Sequence, residues 1–152
     1  DIALLPPVSG GSGDFLTGQP ILHDEIIGRL NHPEAGGIVT FMGAVRAEAD
    51  KKKIAFLDYE AHHQLAEKEM ALIVAEAKKE WEIFELALIH RLGRIPVGET
   101  SLFIGVATRH RDEAYAASRF ILEAVKHRVP IWKKEVFVDQ SVSWPKGEVI
   151  VR

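Results

Sequence analysis

Cysteine is absent from all 152 residues. That excludes disulfides, thiolate metal sites, persulfide relays and cysteine nucleophiles, so any sulfur the protein handles must arrive on another molecule. Long apolar runs are also missing. None approaches the roughly 20 residues needed to cross a bilayer, and the first residues lack the basic-then-apolar layout of a secretory signal, so the expectation is a soluble, cytoplasmic protein with no membrane partner. An excess of positive charge is lacking as well. The formal net charge of -3 argues against a general nucleic-acid binder, although an acidic balance can hide a local basic cluster. There is no GxGxxG, GxxxxGK or GxSxG, so nucleotide cradles and serine hydrolase elbows have no support. His62 and His63 sit in no HExxH-like arrangement and no carboxylate cluster joins them, so neither a metal site nor a cofactor is expected.

With 47% hydrophobic and 27% charged residues, the chain has the composition of one compact domain. Its opening, DIALLPPVSGGSG, differs from the rest: an apolar stretch, a Pro pair, then a Gly/Ser run that reads as linker. Residues 1–13 are therefore set apart from a domain over 14–152. Apolar residues at Leu22, Ile26, Ile27 and Leu30 predict a short helix ended by Asn31-His32-Pro33. GIVTFMGAV, Gly37 to Val45, is apolar on both alternating faces and suits a strand covered on both sides, with a charged loop from Arg46 to Lys53 after it. Ile54 to Ala61 reads as a strand, and about Gln64 to Trp81 as a helix buried along Met70, Ile73, Val74, Ala77 and Trp81. Strands follow at Ile83 to Leu92 and Leu102 to Arg109, with a hairpin-like connection through Pro96-Val97-Gly98-Glu99. Asp112 to Arg128 is the clearest helix: acids lie at its positive end, Lys126, His127 and Arg128 at its negative end, and Pro130 just beyond. Ile131 to Asp139 closes the pattern as a strand. Elements interleave without a regular βαβ repeat, so an α+β domain with a mixed or antiparallel sheet is expected.

Three cation-bearing segments fall at element boundaries, where substrate groups tend to project: Arg46 after FMGAVR, His110-Arg111 in ATRHR, and Lys126 to Lys134 in KHRVPIWKK. Arginine offers a fork that matches phosphate oxygens; lysine offers a point charge or, when desolvated, an amine able to move protons. Gly43 leaves space beside Arg46. His110 and Arg111 precede a helix N-terminus, whose unpaired N–H groups favour an anion. Lys126, on the last turn of its helix, has an ordinary explanation as a cation against the dipole, worth under about 1 kcal/mol. Strand alternation points Lys133 and Lys134 to opposite faces. Together the segments suit an anionic, phosphorylated substrate.

From about Ile21 to Glu135 the chain resembles the molybdopterin synthase large-subunit family. The resemblance is carried by GGIVTFMGAVR, LDYEAHHQLAEKEM and LIHRLGRIPVGETSLFIGVATRHRDEAYAASRFILEAVKHRVPIWKKE. Its most specific part is HR followed by a helix ending in K-x-R-x-P-[FI]-W-K-[RK]-E. The resemblance implies an α/β hammerhead fold and a homodimer binding a small ubiquitin-like sulfur-carrier subunit at each end. It also implies an enzyme that transfers sulfur from the carrier's C-terminal Gly-Gly thiocarboxylate to cyclic pyranopterin monophosphate. By the same carry-over, Lys126 matches the essential active-site lysine and Lys133 the second pocket lysine, while Arg46, His110 and Arg111 match substrate-binding residues. Arg152 is a candidate stand-in for a further pocket arginine, in a C-terminal stretch that departs from the family.

The opening residues DIALLPPVSGG resemble the C-terminal tail of that enzyme's sulfur carrier, with Gly10-Gly11 internal rather than terminal. A natural fusion remnant is favoured over an artificial linker. In the carrier, glycines let an extended tail enter a narrow tunnel; an internal Gly11 has no carboxylate to activate, so loading would require cleavage after it. Two other readings compete with the enzyme: a non-catalytic module binding a carrier tail or a phosphorylated metabolite, and a structural dimer partner whose cations are surface charge.

Overall fold

A computed structural model describes residues 14–145. Residues 1–13, expected from the sequence to be a carrier-like tail and linker, and Arg152 lie outside the described residues.

The first layer is a sheet built on its most buried strand. Strand β7 (Thr100–Thr108) is buried along its whole length because it lies between β5 (Ile83–Arg91) and β2 (Gly37–Ala44), antiparallel to both. A short strand β1 (Leu16–Thr17) joins the far side of β5 in parallel, giving the order β1-β5-β7-β2 and a mixed sheet. Helices α2 (His63–Glu80) and α3 (Arg111–Arg128) cover one face. Met70, Ile73, Val74 and Ala77 of α2 and Ala117, Ile121, Ala124 and Val125 of α3 pack there on Leu86, Leu88, Ile104 and Val106 of the sheet. Each set follows the helical period that brings residues three and four apart onto one face. The other face is covered by the short helix α1 (His23–Arg29), where Ile26 and the following Leu30 pack on Ala87, Ile89 and Phe103.

A second, antiparallel sheet contains β3 (Glu48–Ala49), β4 (Lys52–Ala61), β8 (Ile131–Phe137) and β9 (Val142–Ser143), with β6 (Gly93–Pro96) also paired to β4. Val45, Ile54, Leu57, Ile95 and Phe137 form its core. Among the described residues, three helices and two sheets, one mixed and one antiparallel, match the expected α+β class.

Two local expectations are corrected and a third is extended. The charged segment from Arg46 to Lys53 is a hairpin rather than a loop: β3 pairs with β4 across Asp50 and Lys51, both at positive φ of 50° and 64°, the backbone a two-residue hairpin turn requires. The connection between β5 and β7 is hairpin-like as expected, the two strands pairing antiparallel and Glu99 N–H donating to the Pro96 carbonyl at the turn, but residues 93–96 also pair with β4 of the second sheet on the way. The strand at 37–44 is covered on one side only. It is an edge strand, and the seven-residue α1 lies over β5 and β7 without reaching it, leaving Ile38 and Met42 43% and 46% exposed. Among the described residues, no helix is long and apolar enough to cross a membrane.

Candidate functional site

A cleft of about 370 Å³ opens where the two sheets meet the C-terminal end of α3. The first sheet contributes Phe41 and Gly43 of β2, His90 of β5, and Ser101 and Leu102 of β7; α3 contributes Val125 and Lys126; the second sheet contributes Tyr59 of β4 and Ile131, Trp132 and Lys133 of β8. Strand register brings Lys133 opposite Tyr59, so both sit at the same level of the cleft. A Cβ at Gly43 would make only ordinary contacts, the nearest at 3.5 Å from Phe41.

Electrostatics single out Lys133. Burial pushes its amine below the usual lysine range, Lys126 and Arg46 push the same way by repulsion, and Glu135 opposes them. Two cations that depress a third must share its neighbourhood. Arg46 is exposed and is not part of the cleft wall, but its strand end is held in place: Val45 N–H donates to the Glu99 carbonyl at 3.0 Å, and Gly98 N–H donates to the Val45 carbonyl at 2.8 Å. Tyr59 is pushed up by burial, with a hydrogen bond between its hydroxyl and Ser101 partly opposing and Glu135 adding to the rise. Trp132 Nε1 donates to Glu60 at 3.3 Å, which orients the indole at the rim.

Of the five residues singled out in the sequence, Lys126, Lys133 and Arg46 therefore come together, whereas His110 and Arg111 do not. These two sit at the opposite end of α3, about 22 Å from Lys126 at 1.5 Å per residue, and both are exposed. Their backbone is nonetheless fixed. Thr108 Oγ1 donates to the His110 carbonyl, Gly36 N–H donates to the Thr108 carbonyl at 2.9 Å, and a Cβ on Gly37 would come within 2.9 Å of Arg111 Cα. Glycine at 37 is thus what lets the start of β2 lie against the start of α3. Lys134, expected to face away from Lys133, stands 5.7 Å from the centre of the Trp144 ring.

Inspection of the sequence missed His90, Tyr59, Ser101 and Trp132. For His90 a signal exists: it is a polar ring near the end of a strand that is otherwise buried and apolar from Leu86 to Ile89, and such a residue needs a hydrogen-bonding reason to be there. Its imidazole is pushed down to about 4, first by burial and then by Lys126, against a hydrogen bond to the Arg91 carbonyl that works the other way.

Comparison with known proteins places these features in context. The family model described as MoaE protein matches residues 16–128. A molybdopterin synthase catalytic subunit from Thermoplasma volcanium is 40% identical over 120 residues, spanning 79% of this chain and 88% of that protein. One from Bacillus subtilis is 40% identical over 142 residues, spanning 88% and 90%. Among solved structures, the crystal structure of molybdopterin synthase from Staphylococcus aureus superposes with a TM-score of 0.80 at 31% identity, covering 86% of this chain and 95% of that one.

Proposed function

The chain belongs to the MoaE protein family, and from that premise we propose that it acts as the catalytic subunit of a molybdopterin synthase, an enzyme of molybdenum cofactor biosynthesis. In this reading a small carrier subunit brings sulfur as a C-terminal thiocarboxylate, and two sulfur additions to cyclic pyranopterin monophosphate form the dithiolene. The absence of cysteine is then expected, because the sulfur is never held by this chain. The observation that carries the proposal is that Lys126 and Lys133, separated in sequence, line one cleft within reach of the Arg46 charge.

Opening a cyclic phosphate develops negative charge, and fixed cations in a partly desolvated cleft stabilise it most. Lys133 and Arg46 suit that role. Lys126 stands at the mouth of the cleft, exposed on the last turn of α3, where the end of a threaded diglycine tail would arrive. It suits proton transfer or stabilisation of the acyl group being released.

We further propose a homodimer in which His110 and Arg111 serve the partner's cleft. Strand β2 is a sheet edge with Ile38 and Met42 partly uncovered, and burying what remains exposed of such side chains contributes on the order of 1 kcal/mol each. A two-fold contact centred on β2 exchanges the ends of the strand. It would bring the Gly37 end of one copy, with Arg111 against it, toward the Gly43–Arg46 end of the other. That arrangement resolves the 22 Å separation without any change in the fold.

The decisive experiment is mass spectrometry of the product formed from cyclic pyranopterin monophosphate and preformed thiocarboxylated carrier. Appearance of a dithiolene-bearing pterin is expected. Tight carrier binding with no product would favour the non-catalytic binding module instead.

A further inference from the structure

No step described above falls to His90, the most deeply buried titratable group of the cleft, at 6% exposure. Its ring is fixed twice. Nδ1 lies 2.8 Å from the Arg91 carbonyl oxygen, and the Tyr59 ring meets it edge-on with centroids 4.9 Å apart at 64°. A carbonyl oxygen can only accept, so Nδ1 must carry the proton, and in a neutral imidazole this leaves Nε2 with a bare lone pair. Among the described residues, no hydrogen bond engages Nε2. Burial keeps the ring neutral at any working pH near 7, so it remains an acceptor and does not become a cation.

A fixed acceptor is out of character with Lys126 and Lys133 in the same cleft, both of which are donors. Phosphate oxygens carry only lone pairs, so the portion of a ligand that meets Nε2 cannot be its phosphate. It must present an N–H or O–H. The same region has aromatic walls, Phe41, Tyr59 and Trp132, which suit a flat ring.

We infer that His90 orients the substrate: its Nε2 accepts a hydrogen bond from a ring N–H of a flat, donor-bearing heterocycle, whose phosphate then points toward Lys126, Lys133 and Arg46. This rests on reading the cleft as the site of the pterin phosphate. It adds which end of that molecule lies deep and which residue discriminates it. A substrate entering the other way round would set lone pair against lone pair and leave a buried acceptor unpaired, which disfavours it.

The test compares His90→Phe, which fills similar space without an acceptor, with His90→Gln, whose amide oxygen can reach the position of Nε2. Dissociation constants for cyclic pyranopterin monophosphate are measured on the intact dimer without carrier, alongside carrier affinity. His90→Phe should weaken pterin binding about tenfold, His90→Gln should recover most of that loss, and carrier affinity should stay the same in both. Competition by inorganic phosphate should be unaffected, since that end of the ligand lies elsewhere. Unchanged pterin affinity in His90→Phe, equal losses in both variants, or a loss that appears in carrier binding instead would each overturn the assignment. Should His90→Phe not fold, the imidazole nitrogen NMR signals of the unsubstituted protein decide: the Nε2 resonance must move on adding the pterin phosphate, and a static resonance overturns the inference. Because binding is read without turnover, a protein that binds through His90 yet makes no product would sink the enzymatic proposal and leave this one standing.

Discussion

The two ends of α3 carry similar cations in the sequence and meet different fates in space. At the C-terminal end, Lys126 enters a cleft already furnished by Lys133 from β8 and influenced by Arg46. At the N-terminal end, His110 and Arg111 are held firmly by Thr108, Gly36 and Gly37 yet are exposed and lie outside that cleft. Firm backbone placement at an exposed position is what a residue serving a neighbouring copy needs. In the proposed dimer, one end of the helix is completed by its own chain and the other serves a second.

The largest effect should come from the first end. Lys126→Ala is expected to lower kcat by about 10²–10⁴, the usual range for losing a positioned proton-transfer group, with carrier affinity little changed. Rates like those of the unsubstituted protein, measured with preformed thiocarboxylated carrier, would remove Lys126 from the chemistry. A parallel loss of carrier binding would make it a docking residue.

Mixing sharpens the contrast between the ends. Chains carrying Lys126→Ala and chains carrying Arg111→Ala should each be poor alone. When unfolded and refolded together they should regain roughly a quarter of the full activity: half the dimers are mixed, and each mixed dimer has one site with both native residues. If both residues act within one chain, every site in the mixture stays defective and no activity returns.

How much of this was legible beforehand follows the same division. The long helices, the strands around them and the class of fold could be read from periodicity, because burial of one face imposes a period of 3.6 or 2 whatever the partner is. Lys126 and Lys133 stood out through the motif around Pro130. What periodicity could not reveal was pairing at a distance. Residues 93–96 look like part of a turn until β4 is present to pair with them, and an apolar edge strand such as β2 reads the same whether its cover comes from this chain or another. His90 escaped notice because its meaning depends on the Arg91 carbonyl and the Tyr59 ring, a local geometry that spacing does not encode.

Lys133 offers a subtler separation. Its amine sits below the usual lysine range through burial, with Lys126 on α3 and Arg46 after β2 adding repulsion, while Glu135 on its own strand opposes them. A lowered pKa means the cation, which the phosphate needs, is present at low pH and is lost as pH rises, earlier than for an ordinary lysine. Tyr59 faces it from β4 but is shifted upward, so it ionises later. Affinity for the pterin phosphate should therefore fall by several-fold on the alkaline side. Lys133→Arg, charged throughout, should push that decline to higher pH. An unchanged profile in Lys133→Arg would assign the decline to another group.

The smallest effect is expected from a cation that is also part of the signature motif, Arg128. It lies on the last turn of α3, yet its fork turns away from the cleft to α2: Nη1 and Nη2 each donate to Glu76 at 2.8 Å, and Nε donates to Glu69 at 2.8 Å. Its partners hold the guanidinium firmly protonated, with the Glu76 hydrogen bonds as the main cause. These contacts are partly solvent-exposed, so screening limits their worth, and their service is to tie the end of α3 that carries Lys126 against α2. Arg128→Met should lower Tm by only about 2–4 °C, and about 0.5 M salt should narrow the gap between the two proteins. Turnover should fall by less than about threefold, far less than for Lys126→Ala two residues earlier. A collapse of kcat at unchanged Tm would mean that Arg128 meets substrate after all, and that the cations at this end of the helix do not divide between chemistry and architecture.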